Sequence, residues 1–203
     1  MKPSRLSHTL RALFIAALLA SACDDNTVQS QDDARRAYLG LDPSIDKALD
    51  LGFKGFNEAS SANIPQEIMA GGLSGTMTIA GQVDQGSSAN KQMRLTMVLG
   101  GYSDVAHFVY AAGGGAADGG ATPPELDMSL RNIPNGTLSG TLVGTFQMSG
   151  DLEGPVVLDL TFTGEIQAGT SAGAATVIRK PGTVHITGTA TSPSGVYAVD
   201  VVK

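Results

Sequence analysis

The chain has 203 residues, with 13 basic and 19 acidic side chains, 26 glycines, 9 prolines, one cysteine and no tryptophan. That length allows one domain, or one domain with a tail, and an apolar fraction of 42% is enough to fill a core. A net charge of −6 argues against nucleic acid as a partner, because phosphate binding needs clustered lysine and arginine. A single cysteine excludes a disulfide scaffold, a cysteine-rich zinc site and a two-cysteine redox pair.

The first 23 residues carry the most specific signal. Lys2, Arg5 and Arg11 precede Ala12–Ala20, nine apolar residues without a charge. That stretch is too short to span a bilayer, which takes about 20 residues, and it has the shape of a secretory signal peptide over residues 1–22. Leu19-Ala20-Ser21-Ala22-Cys23 resembles the lipobox of bacterial lipoproteins. The resemblance implies cleavage before Cys23, a diacylglycerol thioether on its sulfur and a palmitate-type acyl chain on its new amine. It implies a protein of the cell envelope or periplasm, held to the inner or the outer membrane by the acyl chains on Cys23. Two or three chains hold stably where one does not. Cleavage removes three basic residues and no acids, leaving 10 bases against 19 acids, a net −9. Such a body gains nothing from anionic headgroups, so anchoring is expected to rest on the lipid.

Residues 23–41 read as the lipidated cysteine and a flexible acidic tether, since Asp24–Arg36 offers one isolated valine and no apolar face. Asp24-Asp25-Asn26 lacks the glycine of a calcium loop, so a solvated tail is expected. One domain follows over 42–203. Asp42-Pro43 predicts an N-cap followed by proline at the first helical position. Ile45, Leu49, Phe53 and Phe56 then form one apolar stripe, which places a helix over about 43–57, with Asp50 and Lys54 as an i,i+4 pair.

From about 71 to 203 the period changes to two. Residues 73–83, 92–99, 125–131, 137–148 and 156–167 alternate apolar with polar, the pattern of an antiparallel sheet with one wet face. Turn signals at Asn135-Gly136, Leu152–Pro155 and Ser192–Gly195 separate the runs, and Pro181-Gly182 interrupts a run from Ala175 to Ala190, where a bulge or edge is expected. Gly136, Gly140 and Gly144 alternate with Leu138 and Leu142 on one face; strand glycines let a sheet bend. The predicted fold is therefore mainly β: a curved antiparallel sheet or barrel of about eight strands with one N-terminal helix packed on it.

Candidate chemistry is sparse. Gly169-Thr170-Ser171-Ala172-Gly173 matches a nucleophile-elbow pattern, but strand-like runs flank it where the chemistry needs a strand, a turn and a helix. His107 and His185 lie far apart in sequence, and two ligands do not make a zinc site. No pair of carboxylates is spaced as an acid and base couple, so no catalytic residue, cofactor or metal is expected and the chain is read as a non-enzyme. Met77, Met93, Met97, Met128 and Met148 fall on the apolar strand face. Thioethers fill cores and adaptable binding surfaces, and also bind Cu(I); core filling is the first expectation and an apolar ligand-facing surface the second. The functional expectation is an anchored structural or interaction module with a protein partner. The alternative is a carrier whose curved sheet cups a lipid or another apolar small molecule.

Overall fold

The computed structural model describes residues 30–114, 122–171, 174–192 and 195–203. Among these residues one helix, α1 (Gln31–Glu58), precedes ten strands: β1 (Asn63–Ala70), β2 (Ser74–Val83), β3 (Lys91–Ser103), β4 (Phe108–Ala112), β5 (Glu125–Arg131), β6 (Gly136–Gly150), β7 (Gly154–Ser171), β8 (Ala174–Arg179), β9 (His185–Ser192) and β10 (Gly195–Val202). All pair antiparallel in one sheet.

Ten strands occupy eight positions. β4 and β5 both lie between β3 and β6: Phe108 faces Gly150 and Glu125 faces Val143 on the same partner. They are two pieces of one strand interrupted by the glycine-rich segment 113–124. β8 and β9 both pair with β7, through Arg179 opposite Ile166 and His185 opposite Thr163. The break between them is 180–184, which holds Pro181 and the positive-φ Gly182 (73°). A proline cannot donate to a ladder and a left-handed glycine turns the chain, so the break expected at Pro181-Gly182 is where the sheet shows it. The result is an eight-position meander with β1 and β10 as its edges.

The mainly β fold agrees with the sequence reading, but both boundaries of its N-terminal part move. The tether expected to reach residue 41 gives way to helix at Gln31, capped by Ser30, whose Oγ accepts from Asp33 N at 3.1 Å. Asp32 and Asp33 in the first turn suit the positive end of the helix. Ala34, Ala37, Tyr38 and Leu41 are buried and continue the Ile45–Leu49 stripe at helical spacing. Pro43 therefore lies inside the helix and does not open it. An interior proline costs about 3 kcal/mol, and burial of the apolar face of these added turns, roughly three at about 3.6 residues each, offsets it. Residues 24–29 and Cys23 lie outside the described residues. The sheet also begins earlier than residue 71. In β1, Pro65 and a register shift between Ile64 and Glu67 break the alternation, so Ile64 and Glu67 both turn inward and the period-two pattern is hidden.

α1 packs chiefly against β1 and β10, the two sheet edges, and also touches β8, β2, β9 and β3. It fills the concave side of the sheet and covers both open edges, which otherwise expose unpaired backbone groups. Its apolar stripe joins the inward faces of all eight strand positions in one core. Glycine permits close approach: a Cβ on Gly40 would run into the Tyr110 hydroxyl, and one on Gly52 would lie 2.8 Å from Met128 Sδ. Across the sheet, Gly140 faces Phe162, whose ring occupies the space a Gly140 side chain would need.

Candidate functional site

The five methionines point inward. Met77, Met93, Met97, Met128 and Met148 are all buried in the core, none more than 4% exposed. Met128 meets the backbone of α1 at Gly52. The concave face that could cup a ligand is already occupied by the helix, so these side chains act as its packing surface.

The polar positions of α1 are used just as fully. Lys47 pairs with Asp104 in the β3–β4 turn, and Asp104 also accepts from Tyr102 Oη at 2.7 Å and from Gly72 N at 2.8 Å. Burial pushes the Asp104 carboxyl up, but Lys47, the Gly72 N–H and the Tyr102 hydroxyl outweigh it and hold it below its ordinary value. Desolvation, then the neighbouring carboxylate, raises the Tyr102 hydroxyl, and burial alone raises Tyr110. Tyr110 Oη donates to Ala37 O at 3.0 Å. Lys54 pairs with the buried Glu67 of β1. That hydrogen bond raises the Lys54 ammonium. Asp50, expected to pair with Lys54, instead meets Arg179 Nη2 at 2.7 Å, while Arg179 Nη1 meets Asp46 at 2.9 Å. Lys203 closes on Asp42.

Asn57 acts as a missing strand. Its Nδ2 donates to Val177 O at 2.8 Å, and its Oδ1 accepts from Val177 N at 2.9 Å. The side-chain amide thereby pairs a residue on the outer edge of β8 as a neighbouring peptide would. Two clefts flank this contact between α1 and β8. One, of about 470 Å³, is lined by Asp46, Asp50, Ile178, Arg179 and Lys203 among others. The second, of about 420 Å³, has Phe53 and Ile178 with Lys54, Asn57 and Glu58. They share Asp50, Ile178 and Arg179 and lie side by side along the seam between α1 and β8.

The other sequence candidates fall elsewhere. Gly169–Ser171 ends β7, and the chain returns as β8, so a strand follows the serine where an elbow needs a helix; residues 172 and 173 lie outside the described set. His107 sits in the turn before β4 with a positive φ (72°), not in the strand, and its Nδ1 is 3.5 Å from Asp151. His185 opens β9 with Nε2 at 2.6 Å from Asp200. The two imidazoles thus serve separate carboxylates. Among the described residues no three His, Cys, Asp or Glu side chains gather where a metal ion could be held. None of the described helices is long and apolar enough to cross a membrane.

Sequence reasoning missed Arg179 and Asn57. Asp42, Asp46 and Asp50 at four-residue spacing were the available signal, a stripe of acids that needs cations from another element. The cations they find, Arg179 at the end of β8 and Lys203 after β10, lie more than 120 residues away. No protein-family description, curated protein or solved structure matches this chain.

Proposed function

We propose that this protein is a lipid-anchored module of the bacterial cell envelope that works by presenting its outer surface to a protein partner. The lipobox-like Leu19–Cys23 supports anchoring through acyl chains on Cys23. The observation that carries the module reading is the filled concavity: α1 covers the inward face of the sheet, and its polar residues are tied to the turn after β3 and to β1, β8 and the chain end. What such a body offers a partner is the outer sheet face, rich in threonine on β6, β7 and β9, the hairpins, and the clefts beside β8.

The carrier reading keeps one specific support. The 420 Å³ cleft with Phe53 and Ile178 falls within the range of small-ligand pockets, and an apolar chain could enter beside the helix there.

Growth of bacteria producing the protein with an alkyne-tagged palmitate tests the anchor. The full-length chain should take up label and fractionate with membranes, and Cys23→Ala should do neither. Label on the Cys23→Ala variant would sink the assignment. For the partner, chemical cross-linking in intact membranes should give one discrete adduct that Thr161→Lys, in the centre of the outer face, diminishes several-fold. An unchanged adduct would move the contact off that face.

A further inference from the structure

We infer that the end of the meander bearing the β1–β2, β3–β4, β6–β7 and β9–β10 connections faces the lipid bilayer, and that the clefts beside β8 and the β2–β3 turn point away from it. This inference rests on acylation of Cys23. Neighbouring strands run antiparallel, so their connections alternate between two ends of the sheet. α1 enters at the first of these ends. The carbonyl oxygen of Ser30, its N-cap, would lie 2.4 Å from a Cβ on Gly195, and Gly195 opens β10 beside the β9–β10 connection. The helix leaves at the opposite end, where Asn57 pairs with Val177 of β8 and β1 starts at Asn63.

Chain length then fixes the distance. Six residues lie between Cys23 and Ser30, which makes seven residue steps, and a fully extended chain covers at most about 3.3–3.6 Å per step, roughly 25 Å in all. The 18 residues of β7 run roughly 60 Å at about 3.3 Å each. A tether that short cannot bring the far end of such a body to the bilayer while leaving the near end free. The near end also carries the apolar side chains that a bilayer interface accommodates. Leu73, in the β1–β2 turn, is 61% exposed, and Ile68, Val196 and Val157 lie exposed within a few residues of the same end. Asp32, Asp33, Asp151 and Glu153 share that end and are exposed or half-buried. Arg35 and Arg36, both exposed, lie in the same first turns and Arg36 pairs with Asp33 at 3.5 Å, but the four acids outnumber these two bases, so the surface fits a zwitterionic headgroup better than an anionic one.

The test uses the full-length lipidated protein in phosphatidylcholine vesicles doped with a nitroxide-headgroup lipid. A fluorophore is placed at Glu153→Cys, in the β6–β7 turn, or at Ser88→Cys, in the β2–β3 turn; both sites are exposed. Circular dichroism checks that each variant keeps its β signal. The vesicles are floated first. Failure of the full-length chain to float would overturn the lipid anchor, and this inference with it. Among floated samples, quenching at residue 153 should exceed quenching at residue 88 at least two-fold. Equal quenching, or stronger quenching at 88, would overturn the orientation while leaving the anchor standing.

Discussion

Asp104 is a nearly buried carboxylate with three donors: Lys47, Tyr102 and the Gly72 backbone. Its folded-state pKa is lowered from 3.8, so it contributes stability that is fully present above that value and lost as pH falls through the folded one. Asp104→Asn should cost about 1–3 kcal/mol at neutral pH, the penalty for unpairing buried charged groups. In urea titrations at pH 7 and pH 3 the gap between wild type and variant should narrow in acid. A constant gap would show that the carboxylate's charge is not what matters. Asn57→Ala should cost a similar amount, about 1–3 kcal/mol, by leaving the Val177 N–H and C=O without their partner. Hydrogen exchange at Val177 should accelerate far more than exchange in β6, and uniform acceleration would contradict the local role assigned to Asn57. Neither residue stands out in the chain. Asp104 follows the Gly-Gly-Tyr-Ser end of β3, and Asn57 sits in a helix end of ordinary composition. Tyr102 is only two residues from Asp104, but Gly72 and Lys47 lie 32 and 57 residues from it and Val177 lies 120 from Asn57, separations that periodicity does not report.

Single elements show where local rules and packing disagree. The alternation of β2, β3, β5, β6 and β7 was plain in the sequence because each buries one face and wets the other. β1 was hidden by Pro65 and its bulge, and the first turns of α1 were hidden by Pro43. There the usual meaning of Asp-Pro, a helix start, loses to the burial of Ala34, Ala37, Tyr38 and Leu41 on the sheet. Ser30-x-x-Asp33 is the readable cap, masked by the surrounding acids, whose composition is that of a solvated tail. An interior proline blocks a hydrogen bond to the Leu39 carbonyl and crowds it. Pro43→Ala should therefore stabilise the fold, by about 1–3 kcal/mol, the upper value trimmed by the freer unfolded chain. Ser30→Ala should destabilise it by about 1 kcal/mol. Thermal midpoints check both. A drop with Pro43→Ala would mean that the helix is really two, joined at the proline.

For the molecule as a whole, the core has one feature on which the two functional readings differ. The sheet is curved, glycines such as Gly140 let it bend around large neighbours, and its inner face is rich in adaptable methionine. Those properties alone also describe a lipid-binding cup. The difference is α1, which closes the cup and is fixed at its start by Ser30 against Gly195, midway by Lys47 and Arg179, and near its end by Lys54 and Asn57. The helix, the sheet and the shared apolar face were legible in the pattern of residues. That the helix fills the cup rather than lids it was not, because the pattern gives which face is apolar and not how much room lies behind it. The most direct measurement is native mass spectrometry of the full-length protein purified from envelope membranes in mild detergent. The packed core predicts one mass, that of the acylated chain, with nothing released on denaturation. A discrete additional mass that denaturation frees as lipid would contradict it, and would make the helix the lid of a carrier.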